Sequence, residues 1–219
     1  MEVNLIAMTQ PMADRSMPTT EDLVAFCARV SNPANQLNTG SANKLLQYLV
    51  KNKHWSPFEM VSLTMEIKTT RDIGRQILRH RSFSFQEFSQ RYAVPPLEDF
   101  TTNREARLQD TKNRQNSIEV DDEDLQIKFN ARQAGQLGKA LENYKWALDN
   151  GIAKEQARIF LPEGMSPTHM YMSGSLRSWI HYCELRMGNG TQKEHREIAT
   201  AIWGLITKEF PSLEGILNQ

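Results

Sequence analysis

The stretch VSLTMEIKTTRDIGRQILRHRSFSFQEFSQRY, from Val61 to Tyr92, changes its hydrophobic pattern twice within one run. Val61, Leu63, Met65 and Ile67 alternate with more polar neighbours, as in a half-buried strand whose successive side chains point to opposite faces. Thr70 then stands where it can cap a helix over Arg71 to His80. On that helix Arg75 and Arg79 share a face four residues apart, with Gln76 beside Arg75, while Ile73 and Ile77 point elsewhere. From Arg79 to Tyr92, three guanidiniums, an imidazole, a carboxylate and several hydroxyls occupy fourteen positions interleaved with aromatics. A guanidinium stays charged and offers donors in a planar fork that matches phosphate oxygens or a nucleobase edge. Two such forks flanking His80 suit a phosphorylated ligand. If the segment is extended, Glu87, Ser89 and Arg91 share one side and Phe88 and Gln90 face away.

Working outward, Val3, Leu5 and Ala7 alternate like a second strand, and Met170 and Met172 hint at another. Thr20 before Glu21 and Asp22 is placed to cap a helix through Val30, and Ser41 one through Lys51. Helical patterns also cover 122–150, 152–161, 175–187 and 192–210. The mix is α+β, a single domain over 1–219, with helices dominating the C-terminal half. Residues 97–124 are polar and carry an acidic cluster from Glu119 to Asp124, which predicts an exposed excursion without chemistry.

Across 219 residues, 26 Lys and Arg balance 26 Asp and Glu, so bulk charge advertises neither nucleic acid nor an anionic membrane. Cys27 and Cys183 make no disulfide framework and, with His169, His181 and His195, no zinc spacing; both read as small buried hydrophobes, and no metal is expected. The N-terminal segment has neither a basic start nor a long apolar run, and no stretch approaches the roughly 20 apolar residues of a membrane helix. A soluble, cytoplasmic protein in a reducing compartment is the expectation.

Arg79-His80-Arg81, seven further residues and Ser89, flanked by Glu87 and Arg91, resembles the signature of the flavin-dependent thymidylate synthases. Three further segments follow that family's order. They are His54-Trp55-Ser56-Pro57-Phe58-Glu59, Gln156-Ala157-Arg158 leading to Leu161-Pro162, and the late helix from Ser175 to Leu185-Arg186, after which come Gln192, Glu194 and Arg196. The resemblance implies a small antiparallel sheet packed with several helices in the flavin-dependent thymidylate synthase fold. It implies reductive methylation of deoxyuridine monophosphate (dUMP) to dTMP. Methylenetetrahydrofolate would donate the carbon, FAD reduced by NADPH the hydride, and a homotetramer would carry sites between chains.

Carried over residue by residue, the resemblance assigns Gln76, Arg79, Glu87, Ser89, Arg91, Arg158 and Arg186 to dUMP. It assigns Ser56, Arg79, His80, Arg81, Glu87, Ser175, Arg177 and His181 to FAD, and places His54 on a loop near flavin or folate. Arg186 would be catalytic, favouring an anionic pyrimidine so that no enzyme thiolate is needed. On the late helix Arg177 and His181 share a face, whereas Arg186 lies about 140° round from His181, which fits two ligands. Gly190 stands where many members carry a histidine, and Ser175 where an asparagine is common. Any flavin contact at Gly190 is then lost or supplied by backbone. A rival reading is a single-stranded nucleic-acid module using Arg71, Arg75, Arg79, Arg81 and Arg91 on phosphates and Phe83, Phe85 and Tyr92 on bases. It leaves the His54 segment and the late helix unexplained.

Overall fold

The structure, a computed structural model, describes residues 1–13, 16–101 and 104–218. In chain order the elements are β1 (Glu2–Met8), α1 (Thr20–Ala28), α2 (Ala42–Lys51), β2 (Ser62–Thr70), α3 (Arg71–Ile77), β3 (Ser84–Glu87), β4 (Arg107–Gln109), β5 (Ser117–Glu119), α4 (Glu123–Asp149), α5 (Lys154–Ala157), β6 (Pro167–Ser175), α6 (Leu176–Met187) and α7 (Lys193–Glu209). A four-stranded antiparallel sheet in the order β1-β2-β6-β3 positions the chemistry.

The alternation at 61–67 becomes β2, with Leu63, Met65 and Ile67 buried on one face beside Met170 and Met172 of β6. Each such side chain contributes roughly 1.5–3 kcal/mol on leaving water. Trp179, Ile180 and Cys183 of α6 and Ile198, Ile202 and Ile206 of α7 join the same core. The Trp179 indole donates to the Leu63 carbonyl at 3.2 Å, so its buried N–H is met. Phe83 lies over β6 where Gly174 makes room: a Cβ there would come within 2.5 Å of the ring. Phe83 also meets Trp179 edge-on at 4.6 Å, which pins the Arg79–Phe83 segment onto α6.

Several expected boundaries move. Thr19 rather than Thr20 caps α1, in a reciprocal box with Asp22, and the helix stops at Ala28, short of the Asn32-Pro33 pair that resists helical geometry. Ser41 does not cap α2; its hydroxyl accepts from Arg29 Nη2 at 2.9 Å. α3 ends at Ile77, three residues before His80, and its last turn tightens as His80 N–H reaches the Ile77 carbonyl at 3.1 Å. Thr70 does not cap α3 either: its hydroxyl goes to Asp72 at 2.6 Å, and the Arg71 N–H is met by the Ser166 carbonyl at 2.9 Å. The helix expected over 152–161 contracts to α5 and a tight turn at Arg158–Phe160.

Residues 97–124 do more than loop out, apart from Thr102 and Asn103, which lie outside the described residues. Gln126 exchanges two amide bonds with the Ala106 backbone, both 2.9 Å, and Gln133 does the same with Arg104 at 2.8 and 3.2 Å. The stretch is thereby strapped to α4 and ends in the β4–β5 hairpin. The C-terminal part of α4 buries Tyr144 and Ala147 against Ala157 and Leu161, while Ile127 and Trp146 remain exposed.

Candidate active site

The predicted residues gather into three groups. In the first, α3, the turn that follows it and α6 bring together Gln76, His80 and Arg186. Arg186 Nε donates to His80 Nε2 at 2.8 Å, so the imidazole's own proton sits on Nδ1. Burial, then the nearby Arg186 charge, lowers the His80 pKa to about 4, which keeps the ring neutral and able to accept. His80 leans edge-on against Tyr182 at 4.8 Å. Tyr182 OH meets His195 Nε2 at 3.0 Å, and His195 Nδ1 faces Gln76 Oε1 at 3.3 Å. Burial, then Arg186 and His80, pulls His195 down to about 3.

These two imidazoles give a stability prediction. In the unfolded chain they titrate near 6.5, whereas in the folded chain they resist protonation until about 4 and 3. Acidification below about 6.5 therefore protonates the unfolded state first; the stabilisation is complete above that pH and is lost as pH falls toward the folded values. The melting temperature should drop by about 5–10 °C between pH 7 and pH 5, with a shallower slope in His195→Phe. A flat profile measured by scanning fluorimetry would contradict this.

In the second group, a cavity of about 350 Å³ is lined by Arg71, Arg75, Gln90, Arg158 and Glu163 among others. Arg71 and Gln90 are 6% and 4% exposed, and Arg71 Nη1 and Gln90 Nε2 have no hydrogen-bond partner. Burial pulls the Arg71 guanidinium below its ordinary pKa, and Glu87 stands 3.6 Å away. Buried donors without acceptors are costly, so this cavity is suited to a small anion. Glu87 is placed by a bond from Thr168 Oγ1 at 2.7 Å, and Gly74 lets α3 approach, since a Cβ there would lie 3.0 Å from both Thr168 and Met170. Arg91 is paired at 3.2 Å with Glu155, which lines the cavity.

The expected single row of Glu87, Ser89 and Arg91 does not form. Phe88 N–H makes one more bond to β6, at the His169 carbonyl, and the Ser89 carbonyl then accepts from both Tyr92 and Ala93 at 3.0 Å, turning the chain. Ser89 is exposed, and no general base touches it among the described residues.

The third group joins the turn Ser56–Met60 to the start of α6. Arg177 Nη1 bonds Glu59 at 2.8 Å, and His181 lies 4.6 Å from the Trp55 ring. Ser175 caps α6, accepting from Ser178 N–H at 3.3 Å. A hydrogen bond from Ser175 and the Arg177 pair together outweigh burial and hold Glu59 below the usual carboxylate range. Arg177 and His181 thus face one turn while Arg186 faces His80, the division that helical spacing implies. The side chains of Arg79 and Arg81 have no hydrogen-bond or ion-pair partner among the described residues and both residues are exposed; Ser56 is exposed, and His54 is exposed with its ring 6.1 Å from Tyr48. Gly190 has φ +96°, a conformation that disfavours any side chain.

Gln90, Tyr182 and His195 belong to these groups without having been expected there, and Arg71 was expected at phosphate only in the nucleic-acid reading. For His195 a signal existed: it lies on the α7 face that buries Ile198 and Ile202. A larger cavity of about 730 Å³ is lined by Lys68, Arg104 and Lys193, each already paired with a carboxylate, and holds none of the predicted residues. Anion chemistry therefore falls to the smaller one. The nucleic-acid row does not assemble: Arg71 is buried, Arg75 and Arg91 are paired with Glu163 and Glu155, and Phe83 packs inward. Among the described residues no helix is long and apolar enough to cross a membrane.

The family described as "Thymidylate synthase complementing protein" matches residues 14–212. A probable flavin-dependent thymidylate synthase of Paramecium bursaria Chlorella virus 1 is 48% identical, covering 100% of this chain and 99% of the relative. A flavin-dependent thymidylate synthase of Synechocystis sp. is 49% identical with 100% of both chains covered. Among solved structures, the UMP/dUMP methylase PolB from Streptomyces cacaoi bound with 5-Br UMP superposes with a TM-score of 0.79 at 25% identity, covering 95% of this chain and 89% of that one.

Proposed function

The chain belongs to the flavin-dependent thymidylate synthase family, and from that premise we propose that it methylates dUMP to dTMP, with methylenetetrahydrofolate as carbon donor, FAD as flavin and NADPH as reductant. The observation that carries this reading is the cavity lined by Arg71, Gln90 and Arg158, where buried Arg71 Nη1 and Gln90 Nε2 make no hydrogen bond and Arg71 has only the 3.6 Å ion pair with Glu87. A phosphate monoester supplies the acceptors they lack. A solved relative is a UMP/dUMP methylase bound with a brominated nucleotide, which supports a pyrimidine monophosphate as the ligand.

Arg186 is held by His80 through Nε, which leaves its terminal nitrogens for the pyrimidine. Its charge stabilises an anionic ring and makes the ring carbon nucleophilic. Gln76 orients the nucleotide beside it, and Ser89, Arg91 and Arg158 meet the phosphate, with Arg79 and Glu87 nearby. The donor set also fits a flavin dinucleotide: Ser56, Ser175, Arg177 and His181 line one turn beside Trp55, and Arg79 and Arg81 are exposed cations without partners. His80 and Glu87 would border that group, and His54 would flank it or the folate. FAD, when bound, supplies the hydride that completes the methyl group.

No thiolate is needed. Burial raises the pKa of both Cys183 and Cys27, so neither thiol ionises readily. The double variant Cys27→Ala with Cys183→Ala should retain turnover within about threefold, provided it folds, since the changes remove only small packing groups. A folded but inactive double variant would point to a thiol mechanism. The same reading makes the protein a cytoplasmic homotetramer whose sites draw on several chains. Exposed Ile127 and Trp146 on α4 support it, as does the separation of the ligand residues into three groups. Formation of dTMP from dUMP, with each of methylenetetrahydrofolate, FAD and NADPH omitted in turn, tests the whole reading. Product that survives without FAD would overturn it.

A further inference from the structure

A continuous row of hydrogen bonds runs behind Gln76. It passes from Tyr182 OH to His195 Nε2 (3.0 Å), from His195 Nδ1 to Gln76 Oε1 (3.3 Å), from Gln76 Nε2 to Gln192 Oε1 (2.7 Å) and from Gln192 Nε2 to Glu194 Oε2 (2.9 Å). Every member but the last can both donate and accept. An ionised carboxylate only accepts. Glu194 therefore requires the Gln192 amide to present its NH₂, which leaves the Gln192 oxygen toward Gln76. Gln76 must then donate from Nε2 and turn its own oxygen to His195, which must donate from Nδ1 and accept at Nε2 from Tyr182. Reversing any one link would set two oxygens, or two donors, against each other.

Glu194 is kept ionised by the 97–124 stretch. Burial acts against its charge, but the hydrogen bond from Arg107 Nη2 and the Arg104 guanidinium outweigh it and hold the carboxyl below its ordinary pKa. Arg104 also bonds both Asp72 oxygens at 3.0 Å. The helix carrying Gln76 is thus gripped at its first turn by Arg104 and at Gln76 by the relay.

We propose that Glu194, clamped by Arg107, sets the direction of this relay and so determines which atom of the Gln76 amide is offered to the nucleotide. This makes His195, Gln192 and Glu194 positioning residues acting through Gln76, and it gives the β4–β5 stretch a part in substrate recognition. The consequence for recognition rests on the reading that Gln76 touches dUMP; the direction of the relay does not.

The test uses the full-length protein labelled with ¹⁵N-histidine, without ligand, near pH 7. Long-range ¹H–¹⁵N spectra, with His195→Phe identifying the signal, should show His195 protonated at Nδ1 and bare at Nε2. In Glu194→Gln, whose new amide can donate as well as accept, the His195 signal should become a mixture of tautomers. Affinity for dUMP should fall about tenfold, the scale of a lost hydrogen bond, while FAD affinity stays within about twofold. If Glu194→Gln does not fold because Arg107 is left unpaired, His195→Phe keeps ring volume, removes both bonds, and should give the same selective loss. A wild-type Nε2–H tautomer would overturn the proposal, as would unchanged dUMP affinity in these variants. Wild-type protein with the Nδ1–H tautomer and no affinity for dUMP would instead overturn the functional reading.

Discussion

Arg186→Ala is expected to lower kcat/KM for dUMP by about 100- to 1,000-fold while leaving FAD bound within about twofold of wild type. The magnitude is that of removing a donor aimed at charge developing in a transition state. Two features make the loss specific. Arg186 is anchored by one nitrogen to a neutral His80, so its remaining donors are preorganised, and it lies on the opposite side of α6 from Arg177 and His181, the flavin candidates. Stopped-flow and steady-state assays, with flavin content read at visible wavelengths, separate the two effects. Retained turnover would remove the activating role; equal loss of flavin would mean that α6 serves one ligand, not two.

Arg158→Ala is expected to weaken dUMP binding by about 10- to 100-fold, the scale of a charge-assisted hydrogen bond. Deoxyuridine, which has no phosphate, should bind wild type and variant alike. Arg158 is half-buried on the tight turn after α5 and lines the cavity with buried Arg71, so its removal takes one cation from the proposed phosphate site. Calorimetry with both ligands decides the matter. An equal loss for deoxyuridine would show that Arg158 shapes the fold rather than the phosphate site.

Local pattern carried much of this architecture. The alternation at 61–67 predicts β2, and helical spacing separates Arg177 and His181 from Arg186, because each depends only on residues close in sequence. The Ser89 turn was not legible. It arises because β3 runs out of partner near the start of β6, where Phe88 makes the last bond to His169, a pairing some 80 positions apart in sequence. The buried donors of Arg71 and Gln90 were hidden for a similar reason: arginine and glutamine read as surface residues until tertiary packing covers them. Residues 104–107 looked solvated by composition, yet their guanidiniums find Asp72 and Glu194, distant in sequence. His195 shows the converse, a polar residue on an apolar helix face whose partners Tyr182 and Gln76 come from two other elements.

In the proposed function, the cavity beside Arg71 takes the nucleotide phosphate and the turn beside Trp55 takes the flavin, and the two serve one reaction. Anaerobic visible spectra of the FAD-loaded protein, followed on addition of NADPH with and without dUMP, test it most directly. The proposed function predicts bound flavin that bleaches faster when dUMP is present. Protein that binds no flavin, or flavin whose bleaching is indifferent to dUMP, would contradict it.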